Sequence, residues 1–172
     1  MFKKLLVASA ILAMTSHVAM AGVPYVGASM GVVATTSGSG NFRGLPITVS
    51  GGYGSLINPN VYLGGEIFGV LTTVNFDNNA QPSLKTTYGY GISFIPGLML
   101  SEHTMTYARL GVVRSRFTNY DKNVTGGQAG VGIQTSVTQN VDLRGEYDYT
   151  KYTNFSNVKS DGFNLGLVYK IE

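Results

Sequence analysis

Glu66, Arg109, Arg144 and Glu146 each interrupt a run of alternating apolar residues. Two acids and two bases in such surroundings suit charge-assisted hydrogen bonding, which is strong when both partners are ionised. Hydrolytic chemistry asks for more. A hydroxyl nucleophile needs an adjacent base, and the two histidines are His17, in an apolar N-terminal segment, and His103, beside Glu102 in a polar turn. Cysteine is absent, which removes disulfides, zinc ribbons and thiol catalysis together. Asp142, Glu146 and Asp148 come nearest to a metal cluster, but Arg144 shares their face, so charge balance is the expected role. The glycine pairs at Gly51, Gly64 and Gly126 belong to strands or strand starts, and no Walker-type loop appears. An enzyme is not expected, nor a cofactor or a bound metal.

The elements that carry these charges have an unusual composition. Of 172 residues, 12% are charged and 44% hydrophobic, with 23 glycines and 11 tyrosines. Water-soluble domains average about 25% charged residues. The net charge is +3, and Lys3 and Lys4 contribute two of the twelve bases. Without them the balance is +1, so nucleic-acid binding through a basic surface is not expected. Residues 1–21 combine Lys3-Lys4, the apolar stretch Leu5 to Met14 and the small residues of Ala19-Met20-Ala21, the pattern of a cleaved export signal. The apolar stretch falls short of the roughly 20 residues that a membrane-spanning helix needs. A buried amphipathic helix would show a 3.6-residue period and a polar face, and neither is present. Residues 22–172 are then the exported domain, and no cysteine follows Ala21 to take a lipid anchor.

After Ala21 the repeating signal is period two, that of a strand with two unlike faces. Eight stretches carry it. One face holds Val26 to Ala34, Leu45 to Tyr53, Leu63 to Leu71, Tyr88 to Leu98, Ala108 to Val112, Ala129 to Val137, Leu143 to Tyr149 and Phe163 to Ile171, taken at every second residue. The other is rich in glycine and small residues, and carries Glu66, Arg109, Arg144 and Glu146 together with Asp142, Asp148 and Lys170. Short turns at Ser55–Asn60, Ser101–His103 and Thr138–Asn140 alternate with longer polar connections at Thr35–Arg43, Val74–Lys85, Phe117–Thr125 and Thr153–Ser160. An even number of antiparallel strands, with short turns at one end and long connections at the other, is the pattern of an outer-membrane barrel. Both termini fall at the short-turn end, on the periplasmic side.

A soluble β-sandwich also has one apolar face. Its other face meets water, where glycine weakens a strand without return. Inside an eight-stranded barrel the space admits only packed side chains, so small residues must sit between large ones. The barrel is therefore the better reading. A base on the lipid side at mid-depth costs about 2–4 kcal/mol, which assigns Glu66, Arg109, Arg144 and Glu146 to the lumen as a structural charge network. An ion-conducting or proton-relay pathway is the alternative for the same residues. Tyr88, Tyr90, Tyr147, Tyr149 and Phe163 are expected in an outer aromatic belt, and Tyr53, Tyr62 and Tyr169 in an inner one; simple β-propensity is the competing explanation. Arg114 sits on the lipid parity near the outer end, within reach of lipid phosphates.

On these features the chain resembles the small eight-stranded outer-membrane barrels of the OmpA transmembrane-domain and OmpX type. The resemblance rests on Pro24-Tyr25-Val26-Gly27, Tyr88 to Gly91, Tyr107-Ala108-Arg109-Leu110-Gly111 and Leu143-Arg144-Gly145-Glu146-Tyr147. It implies an all-β, up-and-down transmembrane barrel with a charged lumen network at Glu66, Arg109, Arg144 and Glu146. It further implies outer-membrane lipids and lipopolysaccharide as surroundings, the barrel assembly machinery as a partner, and a monomer. Such barrels commonly end in an aromatic residue; this chain ends Tyr169-Lys170-Ile171-Glu172 with the alternation kept, so assembly is still expected. The function expected is envelope support and display of surface loops, with adhesion or host interaction through an extracellular ligand, because loops carry function on a rigid scaffold. A narrow porin-like channel is the alternative.

Overall fold

The computed structural model describes residues 22–37, 40–75, 85–117, 123–153 and 158–171. The expected export signal, residues 1–21, lies outside them. The chain forms β1 (Val23–Ser37), β2 (Gly40–Asn58), β3 (Val61–Asn75), β4 (Thr86–Met99), β5 (Thr104–Phe117), β6 (Val124–Ser136), β7 (Val141–Tyr152) and β8 (Lys159–Lys170). Each strand pairs antiparallel with the next, and β8 returns to β1 through Tyr25↔Lys170 to Thr36↔Lys159, closing the barrel. No sheet edge runs free along its length, which is what a lipid-exposed sheet requires.

Period two becomes inside and outside. Along β7, Asp142, Arg144, Glu146, Asp148 and Thr150 are buried, whereas Leu143, Tyr147 and Tyr149 are exposed. Met30 on β1 and Ile67 on β3 are each 66% exposed. Such exposure of large apolar side chains around a whole barrel is tolerable only against lipid.

The strands are longer than the sequence suggested. About ten residues, rising about 3.3 Å each at a tilt near 40°, cross the apolar band; β2 has 19 residues, and β1 and β3 have 15 each. The polar stretch Thr35–Arg43 is mostly strand, with Thr35↔Phe42 and Ser37↔Gly40 continuing the ladder. Phe42 is the cause: its ring is buried inside the barrel, and threonine and serine accept the extended backbone on either side. Likewise β2 runs on to Asn58, reducing the Ser55–Asn60 turn to Pro59-Asn60, where Asn58 Oδ1 accepts from the Asn60 amide at 3.0 Å.

The lumen is filled in tiers. Toward the long connections lies an apolar cluster of Phe42, Phe68, Val113, Phe117, Val124, Tyr152 and Val158. Within it Phe117 meets Tyr152 edge-on, centroids 5.1 Å apart. Toward the short turns lies a smaller cluster of Ile95, Met105 and Tyr107, with Tyr62 and Met99 against it. Tyr62 is therefore a lumen residue and does not belong to the inner belt expected for it. Its neighbours Val61 and Leu63 are both apolar, so the alternation there did not reveal which face was which. Glycines opposite the inward rings make the space: a Cβ on Gly52 would strike the Tyr25 ring, and one on Gly132 the Tyr107 ring.

Candidate functional site

Between the two apolar tiers lies a layer of buried charge. Glu66 comes from β3, Arg109 from β5, and Arg144 and Glu146 from β7, all on inward positions at one level of the barrel. Glu66 bridges the two bases: its Oε1 lies 2.8 Å from Arg109 Nη2 and its Oε2 2.7 Å from Arg144 Nη1. Arg109 Nε reaches Glu146 Oε2 at 2.9 Å. The four residues singled out by parity thus form one connected group.

Neutral partners complete it, and most of these had not been singled out. The Tyr25 hydroxyl donates to Glu66 Oε2 at 3.1 Å, and the Tyr107 hydroxyl to Glu146 Oε2 at 2.6 Å. Arg109 Nη1 donates to Ser93 Oγ at 3.2 Å, and Arg144 Nε to Gln134 Oε1 at 2.9 Å. Arg144 also lies over the Tyr25 and Tyr107 rings, 5.5 and 5.4 Å from their centroids, and Arg109 lies 5.7 Å from that of Phe68. Guanidinium over an aromatic face is favourable, more so where water is excluded. The sequence signal for Tyr25 and Tyr107 was their inward parity; the register places each opposite a glycine, Gly52 and Gly132.

Further acids flank the layer. Asp142 accepts from Gln134 Nε2 at 2.7 Å and lies 3.0 Å from Lys170 Nζ. Asp148 accepts from Asn164 Nδ2 at 3.2 Å, and its other oxygen is 3.9 Å from Arg109 Nε. A cavity of about 130 Å³ bordered by Asp148, Thr150, Ser50 and Phe68 lies on the outer side. A vestibule of about 420 Å³ with Tyr25, Tyr62, Asp142 and Lys170 in its walls lies on the short-turn side.

Chemically the layer is a lattice of carboxylates locked to guanidiniums. Among the described residues no group of three or more His, Cys, Asp or Glu side chains is placed to hold a metal. His103 is exposed in the turn before β5, its amide donating to Ser101 Oγ at 3.4 Å. Among the described residues no helix is long and apolar enough to cross a membrane; this barrel crosses with strands.

An apolar exterior around a charged, filled lumen defines an integral membrane β-barrel. The chain belongs to the outer membrane protein β-barrel domain family, whose model matches residues 5–170, and it is an outer-membrane protein. No curated protein matches it in sequence. Among solved structures it is similar to Neisserial surface protein A, at 22% identity and a TM-score of 0.61, over 86% of this chain and 97% of that one. It is also similar to Ail, the attachment invasion locus protein of Yersinia pestis, at 17% identity and a TM-score of 0.58, over 88% of this chain and all of that one. At these identities the likeness is one of fold.

Proposed function

We propose that the protein is a non-enzymatic barrel of the bacterial envelope that holds surface connections on a rigid rim and attaches there to an extracellular ligand. The observation that carries the reading is the filled interior: two apolar tiers enclose a layer of ion pairs, and strands longer than the membrane crossing raise the rim beyond it. Binding residues on loops over a rigid scaffold are a common arrangement. Ail is named for attachment and invasion, and one of its structures holds the heparin analogue sucrose octasulfate. Sulfated saccharide is accordingly the first ligand class to test. Bacteria displaying the protein should adhere to heparin-coated surfaces more than bacteria lacking it. Replacing residues 76–84 and 118–122 by short Gly-Ser turns should abolish the difference. Equal adherence with and without the protein, on heparin and on host cells alike, contradicts the reading.

The second reading is a narrow ion-conducting pathway. One observation favours it: cavities stand on both sides of the charge layer, so a single set of ion pairs separates them. Planar-bilayer recordings distinguish the two. The scaffold reading expects no steady conductance; steady current that disappears in Glu66→Gln or Arg109→Gln supports the channel.

A further inference from the structure

Charge on the outward face of the described strands is confined to the long-connection end. It comprises Arg43 on β2, Arg114 and Arg116 on β5, Lys151 on β7, and Lys159 and Asp161 on β8, five bases to one acid. At the short-turn end the outward positions are uncharged, among them Pro24, Val61, Leu98, Val141 and Tyr169. On β7 the outward row reads Leu143, Gly145, Tyr147, Tyr149, Lys151, and on β8 toward the same end Leu167, Leu165, Phe163, Asp161, Lys159. Aliphatic groups give way to rings, and rings to ammonium groups, directly on β7 and past the carboxylate of Asp161 on β8. That is the order met in passing from acyl chains to headgroups.

Lys151 and Lys159 are also direct register partners, both exposed. Like charges directly opposite on one face destabilise a ladder. No ion pair joins either lysine to an acid among the described residues; Asp161 lies two residues along β8, opposite Tyr149. The pair repels itself unless an anion stands between.

We propose that Lys151 and Lys159 clamp a phosphate of an outer-leaflet glycolipid of the lipid A type, with Tyr149 and Phe163 against the tops of its acyl chains. Phosphate between two ammonium groups converts the repulsion into two charge-assisted hydrogen bonds. Ordinary phospholipid does not account for the pattern. Its phosphate is present at both faces of a bilayer and is accompanied, in the zwitterionic lipids, by its own ammonium, whereas the outward bases stand at one end only. Arg114, on β5 and two strands from β7, offers a second contact of the same kind. The inference rests on the membrane placement and is independent of any ligand at the loops.

The test is thermal unfolding of the folded protein in neutral detergent micelles, titrated separately with diphosphoryl lipid A, dephosphorylated lipid A and phosphatidylglycerol. Diphosphoryl lipid A is expected to raise the Tm, with little change from the other two. Without glycolipid, K151Q/K159Q is expected to melt at or above the unsubstituted protein, because the repulsion is gone. With diphosphoryl lipid A the order should reverse, and the variant's apparent affinity should fall about tenfold, equivalent to about 1.4 kcal/mol. A shift from phosphatidylglycerol equal to that from lipid A, or a variant that keeps the full lipid A shift, overturns the proposal. The comparison of lipids on the unsubstituted protein stands even where the variant folds poorly.

Discussion

Arg144 is held by two hydrogen-bonding partners, Glu66 and Gln134, and by two tyrosine rings. Taking such charges out of water offsets much of what their attraction returns, so the intact network contributes little net stability. Removing one member is another matter, because it leaves the others buried and unpaired. Arg144→Ala should destabilise the folded barrel by about 3–5 kcal/mol, while Arg116→Ala, near the end of β5 on the outward parity, should cost far less. Melting the two variants in detergent checks this, and equal Tm values contradict the lumen assignment. Glu66, Arg109, Arg144 and Glu146 were legible in the sequence because a charged side chain on the polar parity of an alternating strand is far less costly in the lumen than against lipid. Tyr25, Tyr107 and Gln134 share the inward parity but were not legible as their partners, because the two tyrosines reach strands distant in sequence and Gln134 meets Arg144 only through the β6–β7 register. Phe68, Ile95, Met105 and Val113 hid the apolar tiers for a separate reason: an inward apolar residue beside outward ones erases the alternation that marks the faces.

At the scale of the strand, inward aromatics and cross-strand glycines form fitted pairs. Gly132→Val drives a branched side chain into the Tyr107 ring, and overpacking of this kind costs about 1–3 kcal/mol. Much of the loss should be recovered in a Tyr107→Ala background, measured as a double-mutant cycle by thermal unfolding; additive losses would show that the two side chains do not compete for space. The strand order and most turns followed from the sequence, because period two and turn-forming residues are local signals. The lengths did not follow. Polar residues such as Thr36, Ser37 and Asn41 resemble loop in composition, and the pairing that makes them strand depends on Phe42 being buried across the barrel. The alternation of connections also fixes a topology. An epitope inserted within residues 76–84 should be labelled on intact cells, and one at Pro59-Asn60 only after the outer membrane is permeabilised. The opposite pattern places the barrel upside down.

At the scale of the whole molecule, the described residues form no apolar core of ordinary size, and lipid compensates for it. The closed ladder satisfies the backbone, the tiers fill the interior, and large side chains such as Met30, Ile67 and Leu167 remain outside. Export fits this state, and the mass of the protein recovered from outer-membrane fractions should correspond to a chain beginning at Gly22; a mass retaining residues 1–21 contradicts cleavage there. The greasy exterior is a lipid-facing surface, and the lumen, belt and topology assignments all depend on it. Dilution of the urea-unfolded chain, without its first 21 residues, into lipid vesicles and in parallel into aqueous buffer tests it most directly, followed by circular dichroism and by gel migration with and without boiling. With vesicles, strand-rich spectra and a fast-migrating band that slows on boiling are expected, and in buffer alone neither. A monomeric, strand-rich, cooperatively melting protein in buffer without lipid or detergent would contradict the account.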